Sequence, residues 1–208
     1  FQNPRFTSLS EKARSPPRKS VGTGVSEKEP LTIGLRKSVR TIPVWEEIGM
    51  TEPLADRVIQ GIGQATDLYH RLIILVAPAG SGKTSILKNV HDRTAAPILN
   101  INLELSRRML DCTERQRILQ LPRLLSEIVS AFSAEVVLLD NIEILFDLSL
   151  KQDPLRLLQG LSRNKTVVAA WSGSAADGKH IVYATPDHPE YRRYPLQGFL
   201  TVNPEVNA

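Results

Sequence analysis

Leu72-Ile73-Ile74-Leu75-Val76-Ala77-Pro78-Ala79-Gly80-Ser81-Gly82-Lys83-Thr84 is the stretch that decides the fold class. Its first six residues form the longest uninterrupted apolar run in the chain. A short run of this kind reads as a strand buried on both faces. Small residues follow from Ala77 to Gly82, and an amphipathic helix is expected to begin at Lys83, with Ile86, Leu87 and Val90 inward. Ala77 to Thr84 fits the phosphate-binding pattern G-x-x-x-x-G-K-S/T, with alanine in the first place. Small residues let successive backbone N–H groups converge on phosphate oxygens, and the helix start adds its dipole. The expected nucleotide contacts are Ala79, Gly80, Ser81, Gly82, Lys83 and Thr84. Lys83 neutralises the outer phosphates, and the Thr84 hydroxyl ligates Mg2+.

A second stretch completes that reading. Glu135-Val136-Val137-Leu138-Leu139-Asp140 places a carboxylate at the end of an apolar strand. After a phosphate loop, Asp140 is the expected holder of the magnesium ion; by itself such an Asp is often only a helix cap. Many hydrolysing ATPases place Glu immediately after this Asp, whereas Asn141 stands here. Asn can hold a water but cannot accept its proton, so Asn141 and Glu143 are the candidates for positioning water. Glu143 otherwise reads as a surface residue. Ser172, after the apolar strand Thr166–Trp171, is the candidate sensor of the outermost phosphate, or else a loop serine. Arg192 and Arg193 are candidates for an arginine finger into a neighbouring copy, or else a surface pair beside tyrosines.

The remaining pattern alternates helices and strands. A helix is expected over Thr51–Arg71, capped by Thr51 with Pro53 in the first turn. Strands are expected at Ile98–Leu103, Val136–Leu139, Thr166–Trp171 and Ile181–Ala184. Thr113 and Gln116 form a capping-box pattern. Pro122 is expected to restart a helix, and Asp153-Pro154 to open another. The architecture this predicts is α/β: a three-layer α/β/α P-loop domain with a central, mostly parallel sheet. Too few residues follow the fifth strand to build a helical lid, which favours completion of the site by another chain.

Composition narrows the alternatives. The 208 residues carry a formal net charge of +4. Residues 1–49 hold nine Lys and Arg against five Glu, so they account for the whole excess. Residues 50–208 hold 17 residues of each sign, which argues against direct DNA binding. Segment 1–49 mixes Pro, Gly, Ser and charge, and reads either as a basic flexible arm or as sequence upstream of a native start at Met50. Residues 50–208 read as the domain, with Trp45 and Ile48 able to pack on it. The lone Cys112 excludes an internal disulfide and a cysteine-based zinc cluster. No apolar run approaches the ~20 residues of a membrane span, and no secretory pattern is visible, so a cytoplasmic location is expected.

Four segments carry a resemblance: Asn100–Arg108 (NINLELSRR), Leu138–Phe146 (LLDNIEILF), Asp153–Ser162 (DPLRLLQGLS) and His188–Tyr194 (HPEYRRY). Together they resemble BrxF, the small P-loop proteins of bacteriophage-exclusion (BREX) defence systems. The likeness runs from about Met50 to Tyr194. It implies a P-loop subunit that works with other BREX-type defence proteins, including a larger ATPase, a DNA methyltransferase, a phosphatase-like protein and a helicase. It implies no defined mechanism for this subunit. Three functional readings therefore stand. The first is an ATP- or GTP-binding NTPase subunit with slow or partner-completed hydrolysis, with self-association as one route to completion. The second is a non-hydrolysing, nucleotide-regulated assembly module. The third is a small-molecule phosphotransferase, against which stands the lack of an arginine-bearing lid insertion.

Overall fold

Alternate residues of strand β1 (Leu72–Ala77) serve two different cores. Leu72, Ile74 and Val76 face one side of the sheet, while Ile73 and Leu75 face the other. All six residues are buried. Fully burying such a side chain contributes about 1.5–3 kcal/mol, so β1 is firmly anchored and the loop after it starts from a fixed point.

The computed structural model describes residues 53–176 and 178–204, which fall within one compact unit. Segment 1–49, the boundary at Met50, Trp45, Ile48 and the Thr51 cap all lie outside the described residues. Helix α1 spans Leu54–Ala65 and α2 spans Lys83–Thr94. Their Val58, Leu87 and Val90 cover the Ile73/Leu75 face. Strand β2 is Ile98–Asn100, followed directly by α3 (Ile101–Arg108) and α4 (Glu114–Ser130). Strand β3 is Val136–Asp140, and α5 is Pro154–Leu161. Leu105, Leu121, Leu125 and Leu158 from these later helices cover the Leu72/Ile74 face. The chain is thus α/β in three layers, helices lying on both faces of the sheet, and no helical lid is present among the described residues. No helix among them is long and apolar enough to cross a membrane.

Strand β4 (Thr166–Ala176) lies between β1 and β3 and is parallel to both. Strand β7 (Leu200–Val202) pairs parallel with β1, giving the order β2-β3-β4-β1-β7. Beyond the end of β1, β4 continues into an antiparallel extension with β5 (His180–Tyr183) and β6 (Arg192–Pro195).

Several boundaries depart from the sequence reading. Helix α1 stops at Ala65 rather than reaching Arg71, and Pro53 is its cap position rather than part of its first turn. The second strand ends at Asn100, because the Asn100 side chain accepts a hydrogen bond from Leu103 N and starts α3. Pro122 does not restart a helix; α4 runs through it. Proline has no N–H to offer the Ile118 carbonyl one turn back. Gln152 Nε2 donates to that carbonyl at 2.9 Å instead. The fifth strand is antiparallel, and β6 and β7 come after it.

Candidate functional site

The carboxyl ends of β1 and β3, and β4 at Ser172, converge on the loop between β1 and α2. The loop turns where Ser81 N donates to Pro78 O at 3.3 Å, and α2 opens where Ser85 N donates to Gly82 O at 2.9 Å. Gly80 and Gly82 have φ of 75° and 82°, which side-chain-bearing residues rarely adopt. The first amides of a helix have no partner within it, so α2 presents donors at the loop. Pro78, Ala79, Gly80 and Ser81 are exposed.

Lys83 is buried, and its ammonium donates to the Ala77 and Pro78 carbonyls at 3.1 and 2.8 Å. Burial pushes its pKa below the ordinary lysine value, and the Glu143 and Asp140 carboxylates pull it back up. Thr84 Oγ1 donates to Asp140 Oδ2 at 2.8 Å. The other Asp140 oxygen accepts from Asn141 N at 3.0 Å. A hydroxyl and a buried carboxylate side by side make a donor set suited to Mg2+, which takes one or two carboxylates and completes its shell with phosphate and water. Among the described residues no group of three His, Cys, Asp or Glu could hold a metal unaided, so this pair would need a ligand to complete the shell.

The two water-positioning candidates part company. Asn141 is exposed, takes φ of 51°, and its carbonyl accepts from Asn102 N at 2.9 Å. It lines the cavity at the loop without a role set by its side chain. Glu143 opens a single helical turn, Glu143–Phe146, and its Oε1 accepts the Ser172 hydroxyl at 2.6 Å. Ala79, Gly80, Gly82, Lys83, Thr84, Asp140, Asn141, Glu143 and Ser172 together line a cavity of about 330 Å3. The sequence-derived nucleotide, metal and water-positioning residues are thus gathered in one place, apart from Ser81, which is exposed on the same loop and outside that lining.

Arg192 and Arg193 lie on β6 and are not part of that lining. Arg192 Nη1 donates to Tyr191 O at 2.9 Å, and Arg193 Nη2 lies 3.1 Å from His180 Nδ1.

The aromatic cluster behind Glu143 escaped the sequence reading. Phe146, at the far end of the Glu143 turn, stacks on Tyr183 of β5 with ring centroids 3.5 Å apart. Trp171 meets Phe146 edge-on at 4.8 Å and donates from Nε1 to Val182 O at 3.0 Å. The hairpin therefore braces the turn that carries Glu143. Its signal in the sequence was Asp177-Gly178, a hairpin-type dipeptide between the segments that become β4 and β5.

No protein-family model matches the chain, and no curated protein matches it either.

Proposed function

We propose that the chain is a magnesium-dependent, NTP-binding P-loop protein whose hydrolysis is slow or completed by a partner. The observation that carries this reading is the 2.8 Å hydrogen bond joining Thr84 to Asp140. It brings the loop hydroxyl onto the carboxylate at the end of another strand, the pairing that magnesium-nucleotide binding requires. Lys83 and the loop amides would grip the phosphates, and Thr84 and Asp140 would hold the magnesium ion. The ion, when bound, neutralises phosphate charge. Ser172 holds Glu143, and Glu143 takes the role of proton acceptor that Asn141 cannot fill.

The slow rate follows from the site itself. Lys83 is the one lysine or arginine lining it. An arginine from another chain, such as Arg192 or Arg193 of a second copy, would stabilise the negative charge that develops during phosphoryl transfer. Asn141 keeps a second reading in view, a nucleotide-regulated assembly module that hydrolyses little. The likeness to BrxF supports placing either activity in a BREX-type phage-defence complex. The full chain, tested for magnesium-dependent phosphate release from ATP and GTP, should turn over below the ~10 per second typical of enzymes. Nucleotide binding with no release would favour the assembly module, and no binding would overturn both readings.

A further inference from the structure

A second cavity adjoins the first. It measures about 510 Å3 and shares Ala79, Glu143 and Ser172 with the cavity at the loop. Its opposite wall comes from the β4–β5 hairpin and the segment after it, including Ser174, Tyr183, Thr185, His188 and Glu190. A single attacking water needs only roughly 30 Å3. Sites for small organic ligands run about 300–1,000 Å3 and combine apolar walls with a few convergent polar groups.

The wall chemistry selects the ligand. No lysine or arginine lines this cavity, whereas two carboxylates do, Glu143 and Glu190. Both act on Tyr183, whose hydroxyl is pushed up to about 12 by burial first and by these carboxylates second. An anionic guest such as a nucleoside monophosphate would be repelled. Hydroxyl groups of Ser174 and Thr185, and an imidazole whose Nδ1 accepts from Glu190 N at 3.2 Å, suit a neutral or cationic polyol or amino alcohol. With Nδ1 accepting, the neutral His188 ring carries its proton on Nε2 and can donate it.

We propose that this cavity is an acceptor site, in which a small uncharged or cationic alcohol receives the terminal phosphoryl group of the nucleotide held on the loop. The proposal rests on the nucleotide reading of the loop given above. In the transfer, the acceptor oxygen forms a bond to the γ-phosphorus. The bond from that phosphorus to the β–γ bridging oxygen breaks, and the bridging oxygen leaves with the electron pair as part of the nucleoside diphosphate. The hydroxyl proton passes to Glu143. Ser172 already occupies Oε1 of that carboxylate, which leaves Oε2 to receive the proton. The products are a phosphate monoester and a nucleoside diphosphate. Slow hydrolysis is then the leak to water of a site shaped for a larger acceptor.

The test uses the full chain with γ-labelled ATP and magnesium, against glycerol, ribose, uridine, ethanolamine and serinol. ATP binding is read by calorimetry, the fate of the label by chromatography, and acceptor binding by thermal shift of the chain without nucleotide. At least one of the five should stabilise the chain and carry label as an organic phosphate. Thr185→Trp and Ser174→Trp place a large ring in the cavity at exposed positions. Each should cut that transfer by roughly a hundredfold, the scale of a misplaced reactant. ATP binding with label found only in inorganic phosphate for all five compounds overturns the acceptor site, as does transfer that survives both substitutions. If ATP does not bind, it is the reading of the loop that fails.

Discussion

Thr84 and Asp140, 56 residues apart in sequence, are joined by a hydrogen bond of 2.8 Å from hydroxyl to carboxylate. The strand that places Asp140 does not touch the strand that leads to Thr84; β4 lies between them. The contact therefore depends on the strand order and not on local sequence.

Its first consequence concerns magnesium. Asp140→Ala should weaken magnesium-nucleotide far more than metal-free nucleotide, because the carboxylate acts through the ion. Titrations with and without magnesium separate the two effects. An unchanged magnesium dependence would reduce Asp140 to a partner of the Asn141 amide.

Glu143 and Ser172 should behave as a pair. Glu143→Gln keeps the shape but removes the proton acceptor, a contribution of typically about a hundred- to ten-thousand-fold. Ser172→Ala frees Glu143 from its 2.6 Å hydrogen bond and should lower kcat by a smaller factor, with KM for nucleotide little changed. Phosphate release that survives Glu143→Gln at full rate would rule Glu143 out as the base.

Gly173 tests the hairpin. A β-carbon there would lie 1.8 Å from Val182 O, the same carbonyl that accepts from Trp171 Nε1. Gly173→Ala must push β5 away and should cost about 1–3 kcal/mol. For a protein of this size that lowers Tm by roughly 2–4 °C per kcal/mol. Since the hairpin braces the Glu143 turn through Phe146 and Tyr183, phosphate release should fall as well. A Tm equal to that of the unaltered chain would show that the hairpin is not held this closely.

The sequence made the nucleus of this site plain and its surroundings obscure, for physical reasons. Six apolar residues followed by small ones are too short a run for a buried helix and read as a buried strand entering a tight turn, and Asp140 ends a similar run. The β4 extension is different. Ser172-Gly173-Ser174-Ala175-Ala176 has little β-propensity, and its pairing depends on Trp171 and Val182 across the hairpin. Ile98-Leu99-Asn100-Ile101-Asn102-Leu103 alternates like a strand, yet Asn100 caps a helix whose Ile101 and Leu105 are buried. The Glu143–Ser172 bond spans 29 residues, and nothing local announces it.

Alkaline pH should destabilise the chain through two tyrosines, Tyr183, which is buried, and Tyr194, which is half-buried. Burial first, aided by nearby carboxylates, raises Tyr183 and Tyr194 from 10.0 to about 12. A group whose folded pKa is raised gives its full stabilisation below the unfolded value and loses it as pH climbs through the folded one. Stability should therefore drop between about pH 10 and 12. Lys83, whose pKa is lowered, opposes this in part, since losing its proton relieves the cost of burying its charge. Tyr183→Phe keeps the ring on Phe146 and should flatten the fall in denaturant midpoint. An identical fall in both proteins would contradict the assignment.

The central claim is that the loop after β1 holds the phosphates of a nucleotide. Lys83 is the loop's buried cation, and its Nζ rests on the Ala77 and Pro78 carbonyls at the loop's entrance. Calorimetric titration of ATP and GTP, with magnesium, into the full chain and its Lys83→Ala variant tests the claim most directly. The account predicts saturable binding of at least one triphosphate by the unaltered chain and an affinity at least several-fold weaker in the variant, with Tm measured alongside to confirm folding. Equal affinities in the two folded proteins, or no binding to the unaltered chain, would contradict it.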